Sequence, residues 1–248
     1  MDSCKKFIRG LWAATENARI IMKKELRSYF VSPVAYIVMV VFLLITGFPF
    51  FMTFFLNGQA ELRMFFQLLP LTLAILIPAV TMRLFAEEKN TGSFEMLLTL
   101  PVSVRDVVAG KILAASVFSA VMISPTLIYG VSILFVGSPD LGPMIGGYLG
   151  AVLLAASYSA IGVFSSSLTK NQIVAFIIAL GICIFLWVID VFLPLFPVVI
   201  VNLFDYISVN SHFASVSKGV LDSRDLIYFA SVIALSAMGT VKSIEERR

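Results

Sequence analysis

Apolar residues fall along this chain in six stretches of about twenty, each long enough for a helix to cross about 30 Å of hydrocarbon, with polar links between them. The pattern predicts spans over Val34–Leu56, Phe65–Phe85, Lys111–Val136, Met144–Leu168, Gln172–Leu193 and Asp225–Val241. Pro70 and Pro78 lie inside the second span, where neighbouring helices can satisfy the freed backbone groups. In the fourth, Gly146, Gly147, Gly150, Ala151 and Ala155 permit close helix packing. Ahead of the first span, residues 17–30 read as an amphipathic helix. Ala18, Met22, Leu26 and Phe30, joined by Ile21 and Tyr29, make its apolar face, and Arg19, Lys23 and Arg27 make a basic stripe beside it. Such a helix suits the surface of a membrane. Residues 86–110 form the longest polar link, and residues 194–224 are too interrupted to span.

The expected fold is therefore an all-α membrane protein. A tail and amphipathic helix occupy residues 1–33, with residues 1–16 read as polar tail. A six-helix domain follows over 34–241, and a polar tail over 242–248. Composition points the same way. Of the 248 residues 59% are hydrophobic and 13% charged, against about 25% charged in a soluble domain, and the mean hydropathy is +0.98. The first apolar run is too long for a signal-peptide core, so it is expected to stay as a span. Nothing in the chain points to a nucleic-acid partner.

Charge adds the orientation. Of 18 Lys and Arg, all but Arg63, Lys218 and Arg224 fall in the N-terminal segment, the 83–111 stretch, the Lys170 link or the C-terminal tail. Positive residues are retained in the cytoplasm, so both termini and the 83–111 loop are expected inside and 194–224 outside. That arrangement requires an even number of spans.

Several chemistries are missing from the sequence. The one Gly-Lys pair, Gly110-Lys111, is followed by Ile112, so there is no phosphate-binding P-loop. A single histidine, His212, excludes an H-E-x-x-H site, and no G-x-S-x-G elbow occurs. His212 reads as a structural or headgroup contact. Cys4 and Cys183 suggest neither disulfide nor metal site. Asp190 reads either as an intramembrane ionisable group or as a helix-end carboxylate at the interface. Asp222, with Asp225 three residues on, reads as an N-cap and first-turn carboxylate starting the sixth span. No catalytic, cofactor-binding or metal residue is assigned, and a chain of this kind needs an external motor.

The 83–111 stretch suggests one. Asn90, Thr91 and Ser93 offer N-caps for a short helix over 93–99, ended by Pro101. That helix would present Phe94, Leu97 and Leu98 toward the cytoplasm, either to a partner's groove or to the lipid surface. The run Arg83…Glu87-Glu88-Lys89-Asn90-Thr91-Gly92-Ser93-Phe94-Glu95…Leu98…Pro101-Val102-Ser103…Gly110-Lys111 resembles the signature of ABC-2 type permeases. The family's architecture resembles this chain along nearly its whole length: an elbow helix, six spans, a coupling helix between spans 2 and 3, and an outer segment between spans 5 and 6. Ser211-His212-Phe213 and Ser217–Asp225 with Tyr228-Phe229 are similar to the gliding-motility-associated subgroup.

The resemblance implies a membrane subunit of an exporter in a bacterial inner membrane, itself not an enzyme. It implies a separate ATPase, two copies per complex, which holds the ATP and Mg. It also implies a second permease half, identical or paralogous. A membrane protein with a large extracytoplasmic domain is a candidate further partner. The coupling role falls on Glu87, Glu88, Thr91, Gly92, Phe94, Glu95, Leu97, Leu98 and Pro101. Glu87, Glu88 and Glu95 would meet basic residues of the ATPase. A non-transporting subunit that transmits ATPase motion to an outer partner is the alternative.

The orientation is directly testable. With Cys4 and Cys183 replaced by serine, Ser217→Cys should react with a membrane-impermeant thiol reagent added outside intact cells, and Ser93→Cys should not. The reverse pattern would overturn the topology.

Overall fold

The computed structural model of the protein describes residues 2–57, 62–95, 102–136, 140–192, 206–220 and 222–246. These residues are helical, with no strand among them, and six helical stretches are long and apolar enough to cross a membrane. The first helix, α1 (Asp2–Val31), takes in the residues expected as a polar tail. Its opening turns contain no proline, the one residue that would force the helix to break there. Pro33, free of the need to donate an N–H at a first turn, then opens α2 (Pro33–Asn57), the first span.

The second span is longer than its apolar stretch. α3 (Arg63–Thr81) passes through a break at Met82 into α4 (Arg83–Thr91), so the candidate span runs Arg63–Thr91. The polar residues after Phe85 thus continue the rod beyond the apolar core. The third span begins earlier than Lys111. Ser103 Oγ accepts from the Asp106 backbone N–H at 3.1 Å and starts α5 (Val104–Ile123). That placement puts Lys111 two turns inside the helix. Ser124-Pro125-Thr126 form a 3-10 turn that leads to α6 (Leu127–Val136), since proline cannot donate within a continuous helix.

At the centre stands α7 (Leu141–Leu168), in contact with α3, α5, α8 (Gln172–Phe192), α9 (Val209–Ser217) and α10 (Ser223–Glu245). Its glycines are where the sequence placed close packing: Gly146, Gly147, Gly150, Ala151 and Ala155 are all buried. The start of α7 meets α9, and its end meets α4. Gly146 and Ser166 mark those two contacts, twenty residues apart and so about 30 Å along the helix. The outer faces of α2, α8 and α10 are apolar, with Leu44, Phe48, Ile173, Phe185, Ile227 and Leu235 exposed. Hydrocarbon is the solvent that suits such faces.

Asp222 caps α10 as its sequence suggests, accepting from the Arg224 N–H at 3.1 Å. Span 6 extends four residues beyond Val241, carried on by Lys242 and Glu245.

Close packing sets a contrast between two glycines. A Cβ at Gly162 would stand 1.9 Å from Thr81 Oγ1, whereas one at Gly181 meets nothing within 4 Å. Gly162→Ala should destabilise the protein by about 1–3 kcal/mol, seen as a lower melting temperature in detergent. Gly181→Ala should be neutral. Equal melting of the two variants would refute the α3–α7 contact.

Candidate functional site

A cluster of buried and half-buried charges lies where α1, α4 and α5 meet. Gly110 makes the approach possible: a Cβ there would stand 2.8 Å from the Ala18 carbonyl oxygen and 2.9 Å from Ile21 Cβ. Any side chain at 110 would push α1 away. With α1 flush on α5, Lys111 comes within reach of Glu25. Its ammonium is 1% exposed and donates to Glu25 Oε1 at 3.1 Å, Glu88 Oε1 at 2.8 Å and the Leu84 carbonyl at 2.7 Å. All three donors of the lysine are used. The Phe85 ring lies 4.8 Å below the charge, a favourable cation–π distance. Exposed Lys24 stands 3.6 Å from Glu25 and 3.8 Å from Glu88, and it adds a weaker, solvent-screened attraction.

α4 is clamped from its other side by the end of α7. Ser166 Oγ accepts from the Phe85 and Ala86 N–H groups, both at 3.0 Å, and donates to the Met82 carbonyl at 2.7 Å. Met82 has no side chain able to cap, so a serine from another span caps α4 in its place. Further along α4, Lys89 donates to the Ser167 carbonyl and sits 5.1 Å over the Phe94 ring. Ser243 of α10 donates to the same carbonyl at 3.3 Å. Arg83 donates to Ser32 Oγ at 2.9 Å and lies 5.4 Å over the Tyr29 ring. Tyr29 is buried and stacked on Phe118 at 4.9 Å. Burial, then the Glu25 charge, raise its hydroxyl above the ordinary tyrosine range, against a smaller opposing effect of Arg83.

The residues singled out from the sequence divide into two sets. Glu87, Thr91, Gly92 and Glu95 are exposed, as are Arg19, Lys23 and Arg27 on α1. Glu88 and Phe94 face inward. Leu84, Glu87, Glu88 and Thr91 follow i, i+3, i+4 and i+7 steps on one face of α4; Glu88, at its inner edge, reaches Lys111 of α5, while Glu87 and Thr91 stay exposed beside the cleft. Phe94 was expected at the cytoplasmic surface but is buried, edge-on to Phe85 at 6.2 Å. Thr91 donates back to the Glu87 carbonyl at 3.0 Å and Ser93 to that of Glu88 at 3.4 Å. Gly92, at φ +75°, ends α4 in the left-handed conformation that favours glycine. Leu97, Leu98 and Pro101 lie outside the described residues.

Between α1 and α4 opens a cleft of about 280 Å³ whose walls include Lys24, Glu25, Ser28, Arg83, Glu87 and Glu88. Among the described residues no group of His, Cys, Asp and Glu is placed to hold a metal. Sequence reading missed Glu25, Lys89, Lys111 and Ser166 as partners. One signal was present for Glu25: it lies on the stripe of Ala18, Ile21 and Tyr29, where a carboxylate is out of place unless paired.

The chain matches the family model described as ABC-2 family transporter protein over residues 19–241. No individually curated protein matches it.

Removing the lysine tests the junction. Lys111→Met would leave Glu25 and Glu88 with no buried counter-charge, costing about 3–5 kcal/mol, and trypsin should cut faster at Lys23 and Arg27 as α1 detaches. Adding Glu25→Gln and Glu88→Gln to Lys111→Met should recover most of the lost melting temperature. A Lys111→Met protein that melts as wild type would show that the junction does not hold α1 in place.

Proposed function

The chain belongs to the ABC-2 transporter family, and from that premise we propose that it is the permease subunit of an exporter driven by a separate ATPase. Membership makes it a membrane subunit of an ABC transporter, and six spans make it multi-pass. In the proposed complex two ATPase copies hold the ATP and Mg, and two permease halves face each other in a bacterial inner membrane. The charge bias supports a cytoplasmic side for both termini and for the α1–α4 junction. The likeness of residues 211–229 to gliding-motility-associated permeases supports that subgroup.

The single observation that carries the coupling role is the Lys111 junction. It joins the elbow helix, the extension of span 2 and the foot of span 3 through one buried ammonium. Force applied by the ATPase to the exposed residues Glu87, Thr91 and Glu95 would reach three elements together. Ser166 and Ser167 would pass it to spans 4 and 6. Nucleotide would bias a two-state arrangement of these elements. A second reading, transmission to an outer partner without transport, draws on α9, which docks on α7 at the far end.

Leu98→Asp tests the ATPase contact. Placing a carboxylate in an apolar groove costs on the order of several kcal/mol, so ATPase pull-down should fall at least about a hundredfold while the spans still insert. Glu95→Lys should leave insertion intact and lower ATP hydrolysis coupled to the permease in nanodiscs. Wild-type pull-down and coupled hydrolysis in Leu98→Asp would contradict the assignment. Stimulation of that hydrolysis by a lipid or small molecule favours transport, and stimulation only by an outer partner protein favours transmission.

A further inference from the structure

We infer that His212 and Asp225 form a proton-dependent latch that ties α9 to the head of α10. The pair lies at the opposite end of α7 from the Lys111 junction, and the inference stands apart from the assignment of an ATPase partner. α9 is capped by Ser208, which accepts from the Ser211 N–H, and it lays Val216 against Gly146 and Gly150 of α7. Its one charged-capable side chain turns toward α10. His212 Nδ1 lies 2.7 Å from Asp225 Oδ1, and Nε2 lies 3.3 Å from the Tyr206 carbonyl oxygen. The ring stacks on Tyr228 at 4.1 Å and 19°, and the Tyr228 hydroxyl in turn donates to the Ile207 carbonyl at 2.7 Å.

Both oxygens facing the imidazole are acceptors. A neutral imidazole has one N–H and one lone pair, so it can satisfy only one of them and would set a lone pair against the other. The geometry is complete only when the pair carries one proton more, as imidazolium beside carboxylate. Asp225 has its own need for that charge. Its side chain is 6% exposed, and Oδ2 is buried with no hydrogen-bond partner among the described residues. The N-terminus of α10 offers the carboxylate partial stabilisation, and His212 supplies the counter-charge.

The neighbouring elements bring little else. On α8, Asp190 accepts from Asn210 Nδ2 at 2.7 Å. α7 has no charged residue; its Tyr148 hydroxyl is spent on the Thr126 carbonyl, and its Tyr158, buried near Tyr228, stays neutral. α3 has only Arg63, at its exposed start. Lys218 on α9's end and Asp222 and Arg224 at the head of α10 are exposed.

The sign follows from the proton. The tie is intact while the imidazole is charged and weakens once it is neutral, when Asp225 loses its counter-charge. Acidity on that side would hold α9 against α7 and α10, and alkalinity would release it. The His-Phe and Asp-Ser-Arg-Asp segments of the outer motif thereby acquire a physical task that the coupling site leaves unexplained.

The chain contains a single histidine, so a histidine-specific ¹⁵N label reports this ring alone in protein held in lipid nanodiscs. At pH 5.5 both ring nitrogens should be protonated, and Asp225→Asn should weaken proton binding about tenfold or more. Amide exchange supplies the second reading. After correction for intrinsic rates, α9 should exchange about tenfold faster at pH 8.5 than at pH 5.5, and His212→Gln should abolish that difference. A wild-type ring holding one proton at pH 5.5, or equal α9 protection at both pH values, would overturn the latch.

Discussion

A lysine ammonium buried at the foot of a membrane span has to be neutralised from within the chain, because neither water nor lipid tails can do it. Lys111 meets that requirement with a carboxylate from α1, another from α4 and a carbonyl of the same α4 turn. The partners come from α1 and α4 and the lysine from α5, three separate stretches of sequence, so the charge can be satisfied only if all three elements are in place together. Desolvation makes such a cluster a doubtful source of net stability. Its effect lies in specificity: separating any one element leaves buried charge uncompensated. Gly110 serves the same end sterically, since it is the thinness of the helix at that point that lets α1 lie against α5.

From this junction the structure runs outward through α7. Ser166 caps α4, and Ser167 receives Lys89 and Ser243 on one carbonyl, so the end of α7 gathers the extension of span 2 and the end of span 6. About 30 Å away along the same helix, α9 rests on Gly146 and Gly150. A rigid, closely packed rod therefore joins a charged junction at one end to a histidine–aspartate pair at the other. Both ends rely on buried ionisable groups in contact.

The spans themselves were legible, because a continuous apolar run is a property of local sequence. Gln172 and Leu168 fall where the pattern sets them, and Asp222 caps α10 as its spacing suggests. Helix ends carried by polar residues were less legible. Ser103 with Asp106 is a capping pair visible in the sequence, yet the apolar run alone put the third span's start at Lys111. α4 was hidden for a related reason: its cap is Ser166, eighty residues away, and no local rule supplies it. The inward turn of Glu88 and Phe94 was likewise unreadable, since which side of α4 is buried depends on α5 and α7. The family motif carried Gly110-Lys111 as letters, and the geometry gives them their reason.

If Lys111 binds them as the junction suggests, α1 and α4 move as one body. Nitroxide labels at Lys23 and Glu87, both exposed, would report the distance between the two helices by electron–electron resonance in nanodiscs with the proposed ATPase bound. Two helices tied by Lys111 should give one narrow distance, unchanged between nucleotide-free and ATP-bound complexes, that broadens in Lys111→Met. A wild-type distance that shifts or splits when ATP binds would show that the two helices move independently, and would contradict that tie.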